Sequence, residues 1–311
     1  MPVKIGFAIV NYNEPEQLIR LVKTINDLYR TSPIVCHHDF SKCALREELF
    51  PKNMRFVHPH IVTQWGHITV PLAALRAFRL LREYYQPDWF FLLSGSDYPV
   101  RRADEVEADL SNTKYDAFID HREILCDALP LGQTATDGGF GRPDWIPLAY
   151  DRYCTLRRPT KTSLFSGRLS FFDRRQFVPI RNHNINRMSW WFQFNRPFRI
   201  YGGAFWFHAN RNAIDRLLYD PSTRRLLKYY STRFIPEESI FHSALCNQAG
   251  LRICKHHKRY EDWSEGGAHP KWLDVSDVPK IFDSDAYFAR KFRDIKALEL
   301  VDSTLFGTRR R

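Results

Sequence analysis

The feature that most constrains this chain is an alternation of strand-like and helix-like segments over its first hundred residues, with each apolar run closing on a polar or acidic residue. VKIGFAIVNYN reads as a buried strand, and EPEQLIRLVKTINDLY follows with Leu18, Leu21, Val22, Ile25 and Leu28 at helical spacing. PIVCHHD reads as a second strand ending at Asp39 and RFVHP as a third. PLAALRAFRLLREYY then reads as a helix with Pro71 in its first turn, and DWFFLLSGSDYPV as an apolar strand broken by Ser-Gly-Ser-Asp. Such alternation predicts an α/β fold, a mainly parallel sheet flanked by helices. Ligands in these sheets sit beyond the carboxyl ends of the strands, where Asn11, Asp39 and Asp97 fall.

A chain of 311 residues, 44% hydrophobic and 15% aromatic, is long and apolar enough to bury a large core, so disorder is not expected. We expect a single domain over residues 1–295, with an irregular basic and aromatic acceptor region at about 120–200 and a tail at 296–311. Order returns from IYGGAFWFHANRNAIDRLL onward as a strand and a helix. FIPEESIFHSALCNQAG reads as a capped helix and DSDAYFARKFRDIKAL as a closing helix. No run approaches the 18 or so apolar residues of a membrane span, and no signal peptide is visible. Six scattered cysteines without metal-type spacing, and no Asn-x-Ser/Thr site, favour free thiols in a cytoplasmic protein over a disulfide framework.

The net charge of +11 is concentrated: between Arg157 and Arg199 ten Lys and Arg residues face only Asp173, a local excess of +9. Phe171, Phe172, Trp190, Trp191, Phe192, Phe194 and Phe198 are interspersed there. Such mixing suits an anionic membrane surface or glycan, and with less support single-stranded nucleic acid. A loop region packing its own aromatics reads equally well. Glycine-rich phosphate loops, GxSxG and HExxH are all missing, which removes the common nucleotide-binding and hydrolase signatures.

LLSGSDYPV, YGGAFWFHANR, FIPEESIFHSALCNQ, DWSEGGAHPK and YFARKF occur in the order found in the core-2/I-branching and peptide-O-xylosyltransferase family, and HHDFSK and QWG agree earlier. The chain resembles that family over roughly residues 3 to 293. The resemblance implies a GT-A-like glycosyltransferase fold, a UDP-sugar donor and inversion at the anomeric carbon, with GlcNAc favoured over xylose. It implies a saccharide or lipid-linked glycan as acceptor, in a setting such as polysaccharide synthesis at the inner membrane face. The rival class is a non-catalytic basic protein that holds glycans or nucleic acid, against which Glu238 and Lys291 speak together.

Metal-using GT-A enzymes usually end such a strand in Asp-x-Asp, whose paired carboxylates hold a divalent cation. SGSD offers only Asp97, so no metal or other cofactor is expected, and Asp97 is left to contact the donor or to cap its own turn. Asp283-Ser-Asp285 reads as a helix N-cap. Without a metal, cations must offset the charge on the departing diphosphate. Lys291 matches the family's phosphate-binding lysine, Lys271 falls where some members carry an arginine, and Arg290 is a further candidate. Glu238 matches the catalytic glutamate, the expected general base, although a Glu in a first helical turn also serves the helix dipole. Glu237, Gly203 and Trp206 are assigned to the acceptor side, with Gly202 and Gly203 allowing close backbone approach and Trp206 stacking on a sugar. Asn11, Asp39 and Trp65 are assigned to the donor side.

Overall fold

A computed structural model describes residues 3–30, 32–124, 145–154, 156–159, 177–180, 189–192, 194, 197–265 and 269–307. Its strands, in chain order, are β1 (Ile5–Asn11), β2 (Ile34–His38), β3 (Met54–Phe56), β4 (Trp89–Ser94), β5 (Tyr98–Pro99), β6 (Ala117–Phe118) and β7 (Arg122–Ile124). They continue as β8 (Leu156–Pro159), β9 (Phe177–Ile180), β10 (Ile200–Gly202), β11 (His208–Asn210), β12 (Ile253–Cys254), β13 (Arg259–Glu261) and β14 (Phe288–Arg290). The main sheet has the order β12-β6-β11-β4-β1-β2-β3. β1 pairs parallel with both β2 and β4, β2 with β3, and β6 with β12, whereas β11 runs antiparallel between β4 and β6. The fold is α/β with a mainly parallel seven-stranded sheet, as the alternation predicts.

Both faces of the sheet are covered, which is why β1 and β4 are apolar at nearly every position rather than at alternate ones. Ile5, Phe7 and Ile9 pack toward helix α1 (Pro15–Tyr29) and the C-terminal helix Ile295–Phe306. Ala8 turns the other way, into a core shared with helix α2 (Thr69–Tyr84) and helices Arg211–Tyr219 and Ile240–Cys246. The parallel register brings the carboxyl ends of β1, β2 and β4 to one edge. A smaller sheet, β13-β14-β5, adjoins it through the turn after β4.

Three expected elements differ. DSDAYFARKFRDIKAL is not one helix: Asp283 ends the helix Val278–Asp283, Phe288–Arg290 is strand β14, and Asp294 caps the helix Ile295–Phe306 by accepting from the Lys296 amide at 3.0 Å. A strand buried on both sides shows no alternation, so its short apolar run looks like a buried helix. Most of the expected tail is therefore helix, anchored by buried Ala297, Leu298, Val301 and Leu305. Asp285 does not cap a helix either, and pairs with Lys258 at 3.0 Å. FIPEESIFHSALCNQAG is broken at Ser239 (φ −144°) into a 3-10 turn, Pro236–Glu238, and the helix Ile240–Cys246.

Most of the basic stretch Arg157–Arg199 lies outside the described residues, as do Phe171 and Phe172 and the side chain of Trp190. Of its described aromatics, Phe192 and Phe198 are fully buried and stack with centroids 4.2 Å apart, and Trp191 and Phe194 pack against the same core. Phe192 and Phe198 build the interior, which removes them from any membrane or glycan surface, and Trp191 and Phe194 are partly buried.

Candidate active site

Where β1 and β4 end, the chain opens into a cleft of about 470 Å³. Its floor is Asn11 from β1 and Ser94, Gly95 and Ser96 from the end of β4, while the loop before β11 contributes Trp206 and the 3-10 turn contributes Glu237 and Glu238. The smaller sheet adds further lining: Glu261 at the end of β13, and Arg290 and Lys291 at the end of β14. Residues from position 10 to 293 thus meet in one depression.

The two glutamates are fixed by local backbone packing. Ile235 stands just before them in the left-handed region (φ 53°), a costly conformation for a β-branched residue. It is held there because its amide donates to the Gly66 carbonyl (2.9 Å) and the Tyr153 hydroxyl donates to its carbonyl (2.6 Å). Gly66 has φ 71°, and a Cβ on it would strike the Phe234 ring, so the Trp65-Gly66 segment docks on this turn. On the other side Gly203 donates its amide to the Glu238 carbonyl at 2.8 Å. A Cβ on Gly202 would meet that same carbonyl, and one on Gly203 would fall on the Asp120 carbonyl. The glycine pair therefore seats Glu238, and the close approach expected of a sugar is made by protein backbone.

The glutamate side chains differ sharply. Glu238, partly exposed, accepts from an Arg152 guanidinium nitrogen at 2.9 Å and from the Trp145 indole nitrogen at 3.5 Å. Glu237 is only 7% exposed. Burial pushes its carboxyl up to about 8, assisted by the neighbouring charge of Glu238 and opposed by backbone amides, including that of Gly66, and by Arg152.

Elsewhere in the lining, burial and the adjacent Arg290 charge hold Lys291 below the ordinary lysine value. It makes no ion pair among the described residues, and its Nζ lies 5.6 Å from the Trp272 ring centroid. Arg290 meets Glu261 at 3.4 Å and lies over the Trp206 ring, 4.7 Å from its centroid. Burial alone would raise Glu261, but the neighbouring His257 and the Arg290 charge outweigh it and hold the carboxyl at about 2.

Of the residues singled out in the sequence, Asn11, Trp65, Trp206, Glu237, Glu238, Arg290 and Lys291 line the cleft. Four do not. Asp39 is fully buried and accepts from the amide and hydroxyl of both Ser41 and Thr63. Burial would raise it, but these bonds hold it at about 2, so it locks a loop whose Thr63 reaches the cleft. Asp97 is also fully buried, accepting from Ser94 and paired with Arg259 at 3.0 Å. Lys271 is held by Asp277 and Asp274, at 2.8 and 3.3 Å, away from the cleft. Gly203 packs behind Glu238. Sequence reasoning missed Arg152, Arg259 and Glu261. Glu261 stands two residues before the Trp263 of a recognised motif, whereas Arg152 lies in a stretch without periodicity and gave no signal.

A family model described as Branch, Core-2/I-Branching enzyme, matches residues 36–128 and 165–283. Beta-glucuronosyltransferase GlcAT14A of Arabidopsis thaliana is 28% identical over 281 residues, covering 84% of this chain and 55% of that protein. Xylosyltransferase 2 of Homo sapiens is 24% identical over 342 residues, covering 99% of this chain and 34% of that protein. The chain thus spans about half the length of the plant relative and a third of the human one. Among solved structures, the apo form of the bifunctional glycosyltransferase WbbM matches with a TM-score of 0.33 at 10% identity, over 92% of this chain and 45% of that one, too loose a likeness to argue from.

Proposed function

This chain belongs to the core-2/I-branching enzyme family, and on that premise we propose that it transfers a sugar from a UDP donor to a glycan or lipid-linked saccharide, with inversion and without a metal. The observation that carries the proposal is that Glu238 and Lys291, 53 positions apart in the chain, line one cleft.

In this reaction the acceptor hydroxyl gives its proton to Glu238 as its oxygen bonds to the anomeric carbon. The bond from that carbon to the diphosphate breaks on the opposite face, and its electron pair leaves with UDP. Lys291 and Arg290 offset the negative charge that grows there. Arg152 and the backbone contacts of Gly202 and Gly203 orient the base. Metal independence draws support from Asp97, whose carboxylate is enclosed and committed to Ser94 and Arg259.

The sequence favours GlcNAc as the sugar, whereas the named relatives are a glucuronosyltransferase and a xylosyltransferase. A panel of UDP-GlcNAc, UDP-glucuronate and UDP-xylose, read by thermal shift and then by turnover, decides among the three. Among the described residues no helix is long and apolar enough to cross a membrane. Peripheral contact through the basic segment, at the cytoplasmic membrane face, is part of the proposal and rests on its local charge excess.

The decisive test is Glu238→Gln, which keeps shape but accepts no proton: donor binding persists while transfer falls by roughly 10²-fold or more. Lys291→Ala weakens UDP binding together with turnover. Near wild-type turnover of Glu238→Gln at saturating substrates excludes Glu238 as the base.

A further inference from the structure

Four of the chain's eight tryptophans, Trp65, Trp206, Trp263 and Trp272, line the cleft, and three of them are engaged there. Arg290 lies over Trp206 at 4.7 Å, Arg293 lies over Trp272 at 4.5 Å, and the Trp263 indole donates to Glu261 at 3.2 Å. Trp65 differs. It is 71% exposed, more than any other large hydrophobic side chain among the described residues. Its ring meets that of Phe234 at 5.3 Å and 83°, a perpendicular contact that covers no more than one face of the indole and leaves the other to solvent. The segment is nonetheless held. Gly66 has φ 71° and lies against the Phe234 ring, and its carbonyl accepts from the Ile235 amide at 2.9 Å, so Trp65 is docked on the stretch that leads into the Pro236–Glu238 turn. From Trp65 to the proposed base there are three contacts: 5.3 Å to Phe234, 5.9 Å from that ring to the Arg152 guanidinium, and 2.9 Å from Arg152 to the Glu238 carboxylate. A short oligosaccharide spans such a path.

We propose that Trp65 is a stacking residue for the acceptor glycan: its open indole face packs on a sugar of the acceptor other than the one that reacts, so acceptors of several units are favoured over a monosaccharide. This rests on reading the cleft as a glycosyl-transfer site. A pyranose presents a face of C–H groups ringed by hydroxyls, and an indole covers that face at low entropic cost because only two torsions need fixing. Single exposed hydrophobics on a surface need no function. This one stands in the lining of the cleft and is docked on the segment that bears Glu238. An acceptor role replaces the expected donor one because the contacts of Trp65 run to the group that takes the acceptor's proton. A sugar rather than an alkyl chain is the partner because the cleft mixes its rings with Asn11, Asn13, Thr63, Ser94 and Ser96, whose amide and hydroxyl groups suit a hydroxylated ligand and interrupt any apolar trough.

The test uses the full-length chain with the UDP-sugar that it turns over. The acceptors are the methyl glycosides of galactose, glucose and xylose, with the di-, tri- and tetrasaccharides of each. Wild type is expected to gain in kcat/KM with acceptor length. Trp65→Ala is expected to lose about threefold to tenfold on the tetrasaccharide, to stay within about twofold on the monosaccharide, and to bind UDP as wild type does. Trp65→Phe, which keeps an aromatic face, recovers most of the loss. If circular dichroism shows Trp65→Ala unfolded, the readout moves to fluorine NMR of wild type labelled with 5-fluorotryptophan, in which Trp65→Phe identifies the signal of position 65. That signal is expected to shift with the tetrasaccharide and to stay still with the monosaccharide. The proposal is overturned if a folded Trp65→Ala shows no loss, the same loss at every acceptor length, or a weakened UDP affinity. A labelled signal indifferent to the tetrasaccharide, or an octyl monosaccharide that gains as much from Trp65 as the tetrasaccharide does, also overturns it. A wild type that transfers sugar to no saccharide of the series overturns instead the reading of the cleft.

Discussion

At the scale of single residues, Glu237 and Glu238 differ in what burial does to each. Glu238 was legible because its motif survives, but nothing in Pro-Glu-Glu-Ser tells which carboxyl is enclosed. That depends on Gly66, and on Arg152, which lies 86 positions away. The enclosure makes stability depend on pH. Below the ordinary carboxyl value of 4.5 both folded and unfolded chains hold this proton, and the residue's contribution is fully present. As pH rises toward about 8 the unfolded chain releases the proton while the native one retains it, so stability is lost at up to about 1.4 kcal/mol per pH unit in that window. Glu237→Gln removes this dependence. Its urea midpoint is expected to match wild type near pH 4.5 and to exceed it at pH 8.5, and equal midpoints at both pH values rule out a buried neutral carboxyl.

At the scale of elements, α1 and α2 were legible because one face of each repeats at helical spacing, and β1 and β4 because polar residues end their apolar runs. β14 was not, since Ala286 to Ala289 are all buried and carry no period. The join between β10 and the Pro236–Glu238 turn was misread in its purpose: Gly202-Gly203 was legible as a place of close approach, but not what approaches it. Gly203→Ala puts a methyl group onto the Asp120 carbonyl, where neither backbone yields cheaply. We expect a loss of about 1–3 kcal/mol or more in urea unfolding. In the folded fraction kcat should fall further than UDP affinity, because the Gly203 amide seats Glu238. A variant with wild-type stability and turnover shows that the two segments separate freely.

At the scale of the whole molecule, the α/β architecture was legible from alternation alone, while the meeting of residues 10 to 293 in one cleft was not, because it arises from strand order and not from spacing. The charge of the cleft belongs to the same scale. If, as proposed, Lys291 and Arg290 balance a diphosphate, transfer is expected to proceed undiminished in excess EDTA and to weaken as salt rises. A strict requirement for Mn²⁺, unmet by other ions, refutes that balance. The strand order also sets a timetable. A chain growing from its N-terminus has β1 to β4 in hand early, and these can pair while synthesis continues. β14 is the central strand of the smaller sheet and the last of the described strands, and Arg290 and Lys291 stand at its end. A growing chain that has made β1 to β4 therefore still lacks Arg290 and Lys291, and the cleft takes its described form only once both halves of its lining are in hand.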